Sequence, residues 1–100
     1  MRVKVTADYE CWPLWWDEAE RVGNVSPTEL GLSDHLSSDL LAWASAYDAT
    51  LNRDDPSSSG FASANEERLF HEQGRRLASR VADELGSGAT IRHIAHDEER

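Results

Sequence analysis

A proline stands inside the most aromatic stretch of the chain. Residues 9–18 read Tyr-Glu-Cys-Trp-Pro-Leu-Trp-Trp-Asp-Glu, gathering three of the four tryptophans and the only cysteine of a 100-residue sequence. Pro13 has no backbone N–H and a fixed φ, so it excludes a helix interior and the middle of a central strand. Residues 12–16 are therefore expected as an edge strand or an extended turn. Adjacent side chains of an extended segment point to opposite faces, so Trp15 and Trp16 cannot both meet one helix layer. One of them is expected to stay partly exposed.

The flanking elements are more regular. In residues 2–9, Val3, Val5, Ala7 and Tyr9 alternate with Arg2, Lys4, Thr6 and Asp8, the period of a half-buried strand. Residues 17–25 are polar, with Gly23-Asn24 as a turn signal. Ser26-Pro27-Thr28-Glu29 is a capping box with proline at the first helical position, and Gly31 limits it to one turn. Ser33 then caps a helix expected over 34–51, whose apolar stripe is Leu36, Leu40, Trp43, Ala44, Tyr47 and Leu51.

Asn52 to Gly60 has the turn chemistry of a loop. Ser63-Ala64-Asn65-Glu66 is a second capping box, opening a helix expected over 64–85 with Leu69, Phe70, Leu77, Ala78, Val81, Ala82 and Leu85 as its stripe. Gly74 lies in that stripe, where glycine costs about 1 kcal/mol against alanine unless another backbone comes close. Gly86 is the expected C-cap. Thr90 to Ala95 is a short strand, and His96 to Arg100 a charged tail.

Each element has one apolar face, so the economical arrangement is a single small α+β domain. A small sheet pairs the N- and C-terminal strands, and a two-helix hairpin covers one face of it. If residues 12–16 pair as a strand, the last strand should run parallel to the first; if they do not, antiparallel.

Charge narrows the partners. The chain carries 19 acidic against 10 basic residues, a formal net charge of −9. Nucleic-acid binding relies on Lys and Arg at phosphates, so DNA and RNA are disfavoured, and so is an anionic membrane surface. A basic protein, a cationic ligand or a metal ion are the partners that such a field steers. One cysteine makes no internal disulfide. The charged start and the lack of a long apolar run point to the cytoplasm.

No constellation carries a catalytic signature. Trp12, Trp15 and Trp16 are read either as core, with Trp43 meeting one of them, or as a binding hot spot beside carboxylates. The acids Asp8, Glu10, Asp17, Glu18 and Glu20 have only Arg21 among them in sequence. They form either a solvated face or a landing patch for a basic partner. No calcium loop, phosphate-binding loop or H-E-x-x-H motif occurs, and no cofactor is expected. Asp54-Asp55-Pro56 reads as turn chemistry, and His93-x-x-His96-Asp97 as a tail rather than a zinc site. His35 and His71 read as isolated on helix surfaces. Cys11, packed between aromatics, is expected as an inert thiol. Arg68, Arg75, Arg76 and Arg80 make a basic patch around Glu72 on the second helix.

Several strings resemble, as a set, the opening of short actinobacterial proteins of unknown function. They are Tyr9-x-Cys11-Trp12-Pro13-Leu14-Trp15, Asn24-x-x-Pro27-x-x-Leu30-x-Leu32-Ser33, Leu40-Leu41-Ala42-Trp43-Ala44-x-x-Tyr47-Asp48-Ala49-Thr50-Leu51 and Asp54-Asp55-Pro56-x-x-Ser59-Gly60-Phe61. The likeness fades after Gly74-Arg75-Arg76-Leu77-Ala78. It implies a compact stand-alone protein and brings no catalytic residues with it.

The expected function is a non-enzymatic, acidic protein-binding module of the neutralising or adaptor kind, by analogy with immunity proteins. It would engage a basic partner through Trp15, Trp16, Asp17, Glu18 and Glu20. Two alternatives stand beside it. One is a small hydrolase or metal-dependent enzyme using Asp54, Asp55 and a histidine, which requires a closed pocket joining them. The other is a structural homodimer, burying Arg75, Arg76 and Arg80 against Glu18 or Glu20 of a second copy.

Overall fold

A computed structural model of the chain describes residues 1–51, 54 and 60–93. Its elements are β1 (Arg2–Val5), β2 (Leu14–Asp17), β3 (Val22–Asn24), α1 (Asp34–Asp48), α2 (Ala64–Leu85) and β4 (Thr90–His93). The strands form one sheet in the order β3-β2-β1-β4. Neighbours are antiparallel except β1 and β4, which run parallel.

Pairing of the aromatic segment decides the sheet. β2 aligns Val3 with Trp16, Lys4 with Trp15 and Val5 with Leu14. The conditional expectation for the last strand therefore resolves to parallel, and β4 reaches β1 by way of both helices, as a parallel connection requires. β2 lies between β3 and β1, an interior strand and not the edge strand or turn expected of residues 12–16. Pro13 escapes the ladder by lying just outside it, and its carbonyl accepts the Thr6 N–H at 3.1 Å. The alternation predicted for residues 2–9 holds in burial further than in pairing: Val3, Val5 and Ala7 are all buried, whereas the strand ends at Val5.

One strand was not expected. Residues 17–25 read as a polar linker with a turn at Gly23-Asn24, yet Val22–Asn24 pairs with β2. The turn falls earlier, where the N–H and C=O groups of Glu18 and Arg21 bond each other at 3.1 and 3.4 Å. Gly23 has φ +120°, and Val22 is 79% exposed, so β3 shows no apolar period. Its hold on β2 comes partly from a side chain. The Asn24 amide donates to the carbonyls of Trp12 at 2.7 Å and Leu14 at 2.9 Å, and accepts the Trp12 N–H at 3.0 Å.

The helices follow their caps. Ser33 Oγ accepts the Leu36 N–H at 3.2 Å and Ser63 Oγ accepts the Glu66 N–H at 3.1 Å. Gly86 ends α2 with φ +79°. α1 stops at Asp48, short of the expected residue 51, where the Thr50 N–H and hydroxyl both bond the Tyr47 carbonyl. Leu36, Leu40, Trp43, Ala44 and Tyr47 are buried as the stripe required. Leu69 is a correction: it lies 48% exposed beside the α2 stripe of Phe70, Gly74, Leu77, Ala78 and Val81. Of the loop expected over 52–60, only Asp54 and Gly60 are described, and residues 94–100 lie outside the described residues.

α2 lies across β1 and β4, and α1 packs on α2, so both cover the same face of the sheet. Trp43 joins the layers. Its ring stacks on Phe70 at 4.5 Å, meets His93 of β4 edge-on at 6.0 Å, and its Nε1 donates to the Phe70 carbonyl at 2.9 Å. Trp43 therefore meets none of the other tryptophans. Gly74 makes room for this packing: a Cβ there would sit 2.6 Å from both Trp43 Cζ2 and His93 Cε1. The close approach is by side chains, not by backbone.

Trp43→Ala should cost about 3–5 kcal/mol, read as a lowered denaturant midpoint. Gly74→Ala should destabilise by about 1–3 kcal/mol through overpacking, although alanine favours the helix itself. The Gly74→Ala penalty should shrink in a Trp43→Ala background, because one of its two clashes is gone. Equal penalties in both backgrounds would contradict the assigned packing.

Candidate functional site

The register of β2 sorts the predicted site residues by face. Trp16 pairs with Val3, whose side chain is in the core, and Trp16 packs against that core. Trp15 pairs with Lys4 and Asn24 and so lies on the other face, which no helix covers. Both tryptophans are half-buried. Trp15 Nε1 donates to the Thr6 carbonyl at 3.0 Å, which fixes its indole over β1. Trp12 is the most exposed of the three, at 43%. Of the three, Trp16 alone packs against the core, and none is fully buried as Trp43 is.

Asp17, Glu18 and Glu20 are not a bare acidic run. The Arg21 guanidinium lies 3.6 Å from the Trp16 ring centroid and bonds Glu18 Oε1 at 2.8 Å. Glu18 Oε2 accepts the Arg2 backbone N–H at 3.1 Å and lies 3.9 Å from the N-terminal amine. The Arg2 N–H, with Arg21 and the amine behind it, holds the Glu18 carboxyl below its ordinary range. Asp17 Oδ2 accepts from Arg92 Nε at 2.8 Å. That bond depresses the Asp17 carboxyl, and the charges of Arg92, Arg2 and Lys4 add to it. Alternation explains the company, since Arg2 and Lys4 of β1 and Arg92 of β4 share the open face with Trp15 and Asp17. Glu20 is exposed in the turn.

A second group assembles at the other end of β2. Asp8 Oδ1 accepts the Tyr9 N–H at 2.8 Å. Glu10 takes a left-handed φ of 61°, and its N–H donates to Asp48 Oδ1 at 2.9 Å. The Tyr9 ring stacks on Tyr47 at 4.6 Å, which brings α1 and its Asp48 to this corner. A cavity of about 420 Å³ opens there, lined by Glu10, Cys11, Trp12, Asn24 and Asp48. Burial, then the charges of Asp8, Asp48 and Glu10, push the Cys11 thiol up, so little of it is thiolate. Sequence spacing gave no sign of Asp48, because a helix residue joins the group only through tertiary contacts, the Tyr9–Tyr47 stack and the Glu10 N–H bond.

The remaining candidates are dispersed. Arg80 bonds Asp39 of α1 at 2.7 Å, and Glu72 takes Arg68 at 2.8 Å and Arg76 at 3.9 Å, so much of the α2 basic patch is engaged within the helix pair. Arg75 is exposed. Asp54 is exposed, and Asp55 lies outside the described residues. A cavity of about 510 Å³ between the helix ends is lined largely by apolar residues, among them Ala49, Phe61, Leu69 and Phe70. Its described lining includes neither Asp54 nor a histidine. His35 is exposed beside Asp39, whereas His71 is a correction: it is partly buried, 6.1 Å from the His93 ring. Among the described residues, no group of three or more His, Cys, Asp and Glu could hold a metal ion.

Residues 1–96 match the model of a family described as Serratia CdiI immunity protein-like. The chain belongs to that family. No curated protein matches it. The match spans every described element, from β1 to β4. Among the described residues, no helix is long and apolar enough to cross a membrane.

The depressed carboxyls give this immunity protein-like chain a defined acid response. Asp17 and Glu18 contribute stability that is complete above ordinary carboxylate pKa values and is lost as pH falls through their lowered ones. Asp17→Asn and Glu18→Gln should therefore lower the urea midpoint at neutral pH. Both variants should lose less than wild type on acidification below about pH 4. Both side chains remain partly open to solvent, so the difference should shrink in high salt.

Proposed function

We propose that the protein is a non-enzymatic, cytoplasmic immunity module that neutralises a protein toxin by binding it. The membership of residues 1–96 in an immunity protein-like family carries this reading. The net charge of −9 favours a toxin with a basic surface, because opposite net charges speed encounter. The binding surface we propose is the β2–β3 hairpin with Trp15, Trp16, Asp17, Glu18 and Glu20.

Within that surface the residues have different tasks. Trp15 offers rigid apolar area on the uncovered sheet face, and a half-buried indole is well suited to anchor a partner. Glu20 stands free of the sheet at the turn and meets the partner's cations at the rim. Trp16, Arg21 and Glu18 brace the hairpin through the stacked guanidinium and its ion pair, so the surface is ordered before binding. Asp17 is tied to Arg92 and sets the charge beside Trp15.

A pull-down from the native cytoplasm, eluted with rising salt, should release a basic protein. Expression of that protein alone should arrest a host cell, and co-expression of this chain should restore growth. Trp15→Ala should weaken the complex by about 2 kcal/mol or more with the fold retained, whereas Glu20→Gln should mainly slow association. A co-expressed, folded chain that gives no protection would refute the immunity reading.

A further inference from the structure

The chain contains one completed pairing of tryptophan, carboxylate and arginine, and it defines what a second corner is suited to hold. At Trp16 the ring is covered by the Arg21 guanidinium at 3.6 Å, and Glu18 binds that guanidinium at 2.8 Å. Trp12 is 43% exposed, and Glu10 and Asp48 line the cavity it borders. We propose that Trp12, which shares a cavity with Asp48 and follows the turn that carries Asp8, is the docking point for an arginine side chain of the basic partner. This rests on the reading of the chain as a protein-binding module.

Rigidity supports it first. The Trp12 backbone is held on both sides by one amide: its N–H donates to Asn24 Oδ1 at 3.0 Å and its carbonyl accepts from Asn24 Nδ2 at 2.7 Å. A ring presented from a fixed backbone loses little entropy when it is covered. Shape comes next. The ring borders a cavity of about 420 Å³, within the size range of ligand pockets. Guanidinium groups stack on indole faces more readily than ammonium groups do, and they bond carboxylates through a planar fork.

Charge commits the site to a cation. Neither Asp8 nor Asp48 forms an ion pair with the described residues; each accepts a backbone N–H instead, from Tyr9 and Glu10. The fields of both carboxylates and of Glu10 converge on the neighbouring Cys11, whose thiol they help to raise. The other accessible tryptophan has the opposite surroundings. Arg2, Lys4 and Arg92 crowd Asp17 beside Trp15 and would repel a second guanidinium. Trp15 therefore supplies apolar contact, and the cationic contact falls to Trp12.

The test uses the full chain and a hexa-arginine peptide, followed by ¹H–¹⁵N NMR. The peptide should shift the Trp12 indole N–H and the amides of residues 8–12 and 48, and added salt should reverse the shifts. Trp12→Ala and the double variant Asp8→Asn/Asp48→Asn should each weaken binding about fivefold. The asparagines keep the acceptors for Tyr9 and Glu10, so the double variant removes charge without removing the turn. Glu29→Gln and Asp83→Asn, which change exposed acids outside this corner and outside the proposed hairpin surface, should bind the peptide as wild type does. Shifts centred elsewhere, for instance on Glu66 and Glu67, or unchanged affinity in Trp12→Ala would overturn the proposal. A chain that protects cells but does not take the peptide at Trp12 refutes this inference and leaves the immunity reading standing. A chain that takes the peptide at Trp12 but gives no protection refutes the immunity reading and keeps the arginine site.

Discussion

The register of β2 against β1 is the constraint on which both the core and the candidate surface depend. Side chains alternate across a strand, so a slip of one residue would exchange the two faces. As paired, Trp16 joins Val3 and Val5 beneath the helices, and Trp15 joins Lys4 and Arg2 on the uncovered face. The slipped pairing would set Trp15 against Val3 or Val5 on the helix side and turn Trp16 and the fully buried Leu14 to the uncovered face. Exposure of Leu14 and loss of its core contacts oppose that register. Hydrogen bonds just beyond the ladder reinforce the choice: Pro13 accepts from Thr6, and Asn24 grips Trp12 and Leu14.

The helix layer depends on a second fit, between a large side chain and a missing one. Trp43 reaches from α1 toward α2 and β4, and Gly74 leaves the space that its ring and His93 share. A small domain gains much from such an arrangement, since one indole removes more apolar area from water than any aliphatic residue. The same packing ties β4 to the helices, and β4 supplies Arg92 to Asp17 on the other face. Core packing on one side of the sheet thus sets the charge pattern on the other.

Much of this was legible in the sequence wherever a local rule acts. The two capping serines, the Trp43 stripe and the alternation of Val3, Val5 and Ala7 all follow from spacing within a few residues. Gly74 could be flagged as an anomaly in an apolar stripe, though not what fills the space beside it. β3 was hidden because Val22 is exposed, Gly23 is glycine, and an asparagine amide takes over part of the pairing; none of these has a period. The pairing of Asp17 with Arg92 spans 75 residues, and that of Glu10 with Asp48 spans 38. Neither leaves a trace in local sequence. The acids of residues 8–20 consequently look alike on paper, whereas the fold gives them different company.

That difference turns a net charge into a direction. A uniformly acidic surface would attract a basic partner without orienting it. Here the open sheet face gathers Arg2, Lys4 and Arg92 about one carboxylate, and the far end of β2 gathers Asp8, Glu10 and Asp48 about Cys11, next to Trp12. Complementary charge speeds encounter and like charge rejects misaligned approaches, so under the proposed reading a basic partner would be turned toward the Trp12 end as it arrives. The two ends are joined by one short strand held between Thr6 and Asn24, which leaves little freedom to adjust their spacing. On the proposed reading, selectivity for a particular toxin would reside in the distance between an apolar contact at Trp15 and a cation at Trp12, not in the total charge of the chain.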